Sequence, residues 1–160
     1  MVTDVEDWDA AMEVVERCRQ RLRERGVSFN EDTSFGVMLS VPSACLTAEE
    51  FVAHGCGFFV IGTNDLTQYT HAVDRELAPA EHYYRPASKA MKKLIRMVMD
   101  TAKQGNVPVT ICGLAVGNPA NTAQYLHLGL RSFSVSPQNL LKTKQALLDT
   151  DAHPDAGEKD

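Results

Sequence analysis

In this chain of 160 residues, the polar side chains that could do chemistry sit directly behind short apolar runs. Ser40 follows Phe35-Gly36-Val37-Met38-Leu39, and Thr63-Asn64-Asp65 follows the run Gly57–Ile61. Cys112-Gly113 follows Val107–Ile111, and Ser134 and Ser136 close the run Ser132–Val135. If these runs are parallel strands, their hydroxyl, amide, carboxylate and thiol groups share the carboxyl edge of one sheet, where α/β proteins bind ligands. A shared ligand site is the reading. Each member also has a plainer role, since an Asn-Asp pair caps turns and an unpaired Cys is among the most buried residue types. No P-loop, GxGxxG or nucleophile-elbow pattern is present.

The elements that must position these groups are legible from periodicity. Thr3-Asp4-Val5-Glu6 reads as a capping box, and Val5, Trp8, Met12, Val15, Cys18 and Leu22 then recur at helical spacing as far as Gly26. Thr47-Ala48-Glu49-Glu50 starts a brief helix ending near Gly55. Ser88–Gln104 is the clearest helix, with Met91, Leu94, Ile95, Val98 and Met99 forming a core stripe. Asn118-Pro119 opens another helix with Pro at its first position, and Pro137–Leu148 forms the last. The polar run Thr63–Thr70 reads as the start of a long connection reaching Pro86, and a loop of that length usually has a function. Strand and helix alternate four times, so an α/β fold with a parallel sheet is expected. One domain spans residues 1–149, and residues 150–160 read as a flexible, solvated tail.

Composition excludes several classes. A hydrophobic content of 44% with 23% charged residues describes a chain that folds around a core. A formal charge of -5 gives no basic footprint, so neither nucleic acid nor membrane is an expected partner. The start Met1-Val2-Thr3-Asp4 lacks a basic and then apolar signal region, and Cys18, Cys45, Cys56 and Cys112 lack CxxC spacing, which together point to a reduced protein in the cytoplasm. His54, His71, His82 and His127 have no ligand spacing and read as surface or loop residues. The run Arg17-Arg19-Arg21-Arg23-Arg25, interleaved with Glu and Gln, reads as a solvated helix face.

Four blocks carry a more specific likeness: Gly36-Val37-Met38-Leu39-Ser40-Val41-Pro42; Ile61–Thr70 with Asp74-Arg75; Cys112-Gly113; and Gly129-Leu130 with Phe133-Ser134-Val135-Ser136-Pro137. Together they resemble the PEP-utilising enzymes, above all the C-terminal domain of enzyme I of the bacterial sugar phosphotransferase system, from about Thr3 to about Leu148. The resemblance implies a (β/α)8 barrel that binds phosphoenolpyruvate (PEP) with Mg²⁺ and passes the phosphoryl group to a histidine on another domain. It implies that Asn64 and nearby amides hold the phosphate, that Arg75 does too, that Asp65 ligates the metal and contacts substrate, and that Cys112 protonates the enolate. Those roles suit a hard cation, an anion and a tunable thiol.

The same resemblance implies departures. The family's second metal carboxylate corresponds to Ser40, the Glu after Cys-Gly to Leu114, an Asp to Asn118 and a loop histidine to Ser88. Mg²⁺ binding is therefore expected to be weak or lost. The match begins after the fourth barrel strand, so the chain carries a partial barrel, a half TIM-barrel of four βα units, without the family's arginines from strands two to four. Three lost charge-assisted hydrogen bonds remove up to roughly 5–9 kcal/mol, against about 4–8 kcal/mol for millimolar to micromolar binding. PEP affinity of the chain alone is expected to be weak or absent unless another chain supplies the missing charges. An apolar inner face and two unpaired edge strands would call for a homodimer or completion by another chain. Two functions follow: a PEP-protein phosphotransferase-like domain impaired as an isolated chain, or a non-catalytic homologue acting as a protein-binding or regulatory module.

Overall fold

Asp4, not Thr3, starts the first helix. Its carboxylate accepts from the Asp7 N–H at 3.1 Å, and the Asp7 carboxylate reaches back to the backbone N–H of Thr3 at 2.9 Å and its hydroxyl at 2.6 Å. The reciprocal cap expected from Thr3 and Glu6 therefore forms one residue later, and the Thr3 hydroxyl holds the Asp7 carboxyl below the usual carboxylate range. Helix α1, Val5–Glu24, follows. It lays Trp8 into the core, and the indole N–H donates to the His54 carbonyl at 3.2 Å. The arginine run is a solvated face, on which Arg23 pairs with Glu16 at 2.9 Å and Glu31 at 2.6 Å.

The computed structural model describes residues 1–150; the expected tail lies, from residue 151 onward, outside the described residues. After α1 come β1 (Val37–Leu39), α2 (Pro42–Leu46), α3 (Ala48–Ala53), β2 (Phe59–Gly62) and α4 (Thr63–His71). Then follow α5 (Lys89–Gln104), β3 (Val109–Cys112), α6 (Pro119–His127), β4 (Ser132–Ser134) and α7 (Leu140–Asp149), with 3-10 turns at Ala78–Tyr83, Leu114–Gly117 and Pro137–Asn139. Ser88 caps α5 by accepting from the Met91 N–H, and Asn118 caps α6 with Pro119 in its first turn. No helix among the described residues is long and apolar enough to cross a membrane.

Two elements depart from the periodicity. The apolar run after β1 does not simply stop at Pro42, because Pro42 opens the short helix α2. The run Thr63–Thr70 is helix, not loop. Its buried face is Thr63, Leu66 and Thr67, and the hydroxyls are satisfied internally, Thr63 Oγ1 donating to the Cys112 carbonyl at 2.8 Å and Thr67 Oγ1 to the Thr63 carbonyl at 2.6 Å. Such threonines act as core residues while scoring as polar.

The strands form one parallel sheet in the order β1-β2-β3-β4. Val37, Leu39, Phe59, Ile61 and Ile111 point to one face and are buried under the helices. The other face is the apolar surface expected only over β1 and β2, and is polar over β3 and β4. It presents Met38, 49% exposed, then Val60, Thr110 and Ser132, with the Thr110 hydroxyl donating to Ser132 Oγ at 2.9 Å. The physical reason is alternation: Val109-Thr110-Ile111 and Ser132-Phe133-Ser134 each send their apolar members to the helix side.

Candidate functional site

The site is set by the register of β2 on β3, in which Gly62 lies opposite Cys112. Helix α4 begins at the next residue, so Thr63, Asn64 and Asp65 form its first turn at the carboxyl edge of the sheet. The N-cap is Gly62, and no side chain caps this end. Asn64 Oδ1 accepts the Leu114 N–H at 2.8 Å and so binds the first turn of α4 to the loop after β3. Close approach requires Gly113: its φ is +117°, and an added Cβ would collide with Thr63 Oγ1 and Asn64 Oδ1.

Asp65 and Arg75, ten residues apart, meet because α4 ends at Ala72 in the left-handed region and the chain turns back. Arg75 Nη1 donates to Asp65 Oδ1 at 2.8 Å, both side chains being partly exposed. Four expected site residues, Asn64, Asp65, Arg75 and Cys112, thus gather at one end of the sheet. Ser40 is buried at the end of β1, beside Gly62. Ser136 instead closes its own turn, accepting from Asn139 Nδ2 at 3.2 Å.

Tyr84 joins them and was not singled out by sequence reasoning. Its hydroxyl donates to the Asn64 carbonyl at 3.2 Å, which ties the far end of the long connection to α4. The only signal was the length of that connection. Burial pushes the Tyr84 phenol up, with the Asp65 charge adding and Thr67 and Arg75 opposing. The Cys112 thiol is likewise pushed up, first by burial and then by the Asp65 carboxylate. A thiol so placed keeps its proton at neutral pH, and is fit to donate one rather than to attack.

Magnesium fits this donor set poorly. A hard divalent ion takes several oxygen ligands, usually including carboxylates, yet among the described residues no group of three His, Cys, Asp or Glu could hold a metal. Asp65 is already engaged, and Ser40 offers a neutral hydroxyl. A divalent ion about 4 Å from the Arg75 charge would cost roughly 2 kcal/mol even in water-like dielectric. A cavity of about 340 Å³ lined by Val14, Cys18, Leu22, Phe29 and Phe35 lies at the amino end of β1, away from this chemistry.

A parallel α/β domain with a polar site at its strand ends is the class so defined. Residues 1–152 match the family profile described as PEP-utilising enzyme, PEP-binding domain. The chain is similar to the phosphoenolpyruvate-protein phosphotransferase of Cupriavidus necator, 34% identical over 148 residues, covering 92% of this chain and 25% of that protein. Its likeness to the protein of the same name from Borreliella burgdorferi is 36% over 147 residues, covering 92% of this chain and 26% of the relative. A probable phosphoenolpyruvate synthase of Methanocaldococcus jannaschii is 36% identical over 122 residues, covering 76% of this chain and 10% of the relative. The chain belongs to the PEP-utilising enzyme family, and spans about a quarter of the length of the phosphotransferases it matches.

The electrostatics can be checked directly. Iodoacetamide alkylation of Cys112, followed by mass spectrometry against pH, should have its midpoint above that of an ordinary thiol, and Asp65→Asn should move it down by removing the adjacent negative charge. A midpoint below that of an ordinary thiol, or an upward move in the variant, would contradict the assignment.

Proposed function

We propose that this chain is a PEP-binding domain of the phosphotransferase type whose turnover is impaired when the chain is alone. The observation that carries the reading is the convergence of Asn64, Asp65, Arg75 and Cys112 around the Asn64–Leu114 hydrogen bond. Arg75 and the amide group of Asn64 bind the substrate phosphate, helped by the first-turn N–H groups of α4. When the phosphoryl group leaves for a histidine on another domain, the P–O bond breaks and its electrons remain on the enolate oxygen. Cys112 then gives its proton to the methylene carbon, and pyruvate results. Tyr84 holds Asn64 in place through that residue's carbonyl. Magnesium contributes weakly or not at all, since Asp65 is the one carboxylate of the expected set that is retained.

The architecture proposed is half of a TIM-barrel, four βα units with all helices on one face. The outer edges of β1 and β4 in the described sheet pair with a second chain, a homodimer closing eight strands about a two-fold axis. A specific observation favours a second function. Leu114, 77% exposed, stands where the family resemblance places a carboxylate, and Leu140 and Leu141 are exposed on the helix packed against its turn. An apolar surface beside the site suits a protein-binding or regulatory module in the cytoplasm.

Two measurements separate these readings. PEP at about 100 times its dissociation constant should add roughly 2.7 kcal/mol, several degrees in melting temperature, and Arg75→Ala at the same concentration should cut the rise to about half or less. Absence of any rise at millimolar PEP would favour the binding module. Light scattering at micromolar concentration should give twice the chain mass of 17.6 kDa, and a monomer would sink the barrel-closing dimer.

A further inference from the structure

Resting on the PEP-binding reading, we propose that the site holds its phosphorylated anion without a divalent metal, the Arg75 guanidinium on Asp65 supplying the positive charge. The side chains at the carboxyl edge of the sheet account for this. Ser40-Val41-Pro42 follows β1, Cys112-Gly113-Leu114 follows β3, and Ser134-Val135-Ser136 spans the end of β4. None of these carries a charge. After β2 comes Asp65, whose single negative charge is matched by Arg75 at 2.8 Å. A site with excess carboxylates repels a phosphate dianion until a cation neutralises them, so binding there is metal-dependent. Directly behind the strands no such excess exists, and Asp74 and Glu76, which flank Arg75, are exposed to solvent.

The geometry leaves donors where an anion needs them. Arg75 uses Nη1 on Asp65, and among the described residues nothing else engages its five-donor fork, which is left for a phosphate or carboxylate. Asn64 commits its oxygen to the Leu114 N–H, which fixes the orientation of the amide and leaves its NH2 group as the donor for a ligand. Arg75 and Asp65 are partly exposed, so a ligand can reach them from solvent. Asp65 in this site positions Arg75 and ligates nothing.

The test is calorimetric titration of the full chain with PEP, once in EDTA and once with millimolar Mg²⁺. Equal affinity in both is expected. Arg75→Ala should weaken binding at least about tenfold, the worth of a lost charge-assisted bond, with Arg75→Lys in between. Asp65→Asn should keep most of the affinity, whereas a metal-ligating Asp65 would lose it. Free Mn²⁺, followed by its electron paramagnetic resonance signal, should be unchanged by the wild-type protein, and depleted by Ser40→Glu if that variant folds. Binding that requires Mg²⁺, or depletion of the Mn²⁺ signal by wild type, overturns this inference and leaves the PEP reading standing. No binding under either condition overturns both.

Discussion

The hydrogen bond from the Leu114 N–H to Asn64 Oδ1 is the contact on which the rest of the site depends. It exists because three conditions coincide: the register that sets Gly62 opposite Cys112, the immediate start of α4 after β2, and a residue without Cβ at position 113. Removing any one separates two loops that are remote in sequence. The buried Thr63 hydroxyl on the Cys112 carbonyl reinforces the same junction. Once it is closed, Asp65 can approach Cys112 closely enough to raise its pKa, and Tyr84 finds the Asn64 carbonyl to bond.

Charge then decides what this junction can hold. Metal-assisted phosphoryl transfer concentrates anionic ligands around an ion and uses the ion to draw in the substrate. This chain pairs Asp65 with Arg75, and on the proposed reading the positive charge offered to a ligand is that of the guanidinium. A guanidinium is a weaker substitute in one respect, since it cannot polarise a bridging oxygen as a metal does, and a stronger one in another, since its planar fork orients phosphate or carboxylate. Binding and turnover can therefore separate. On the proposed reading, the domain grips a phosphorylated anion through Arg75 and Asn64 while lacking the carboxylates that would hold an activating metal.

Much of the fold was legible because its strands are short apolar runs and α5 has a full heptad-like stripe bounded by Ser88 and Gly105. The block around Asn64, Asp65 and Arg75 was legible as a family signature, and those residues do converge with Cys112. What escaped has definite causes. Helix α4 hides its buried face behind threonine hydroxyls that bond to carbonyls, and Tyr84 sits in a connection with no periodicity to mark it. The apolar inner face was expected from half-barrel geometry; Met38 and Val60 bear it out on β1 and β2, whereas Thr110 and Ser132 make the β3–β4 half polar, as the alternation in Val109-Thr110-Ile111 and Ser132-Phe133-Ser134 already indicates. The Asp65–Arg75 pair follows from the left-handed turn at Ala72, which no spacing rule anticipates.

The most direct test of this account is an amide-resolved nuclear magnetic resonance titration of the chain with PEP in metal-free buffer. The account predicts that the largest shift changes fall on Asn64, Asp65, Arg75 and Cys112–Leu114, the two loops joined by the Asn64 side chain. Changes centred instead on the cavity between α1 and Phe35, or a spectrum unaltered at millimolar ligand, would contradict it.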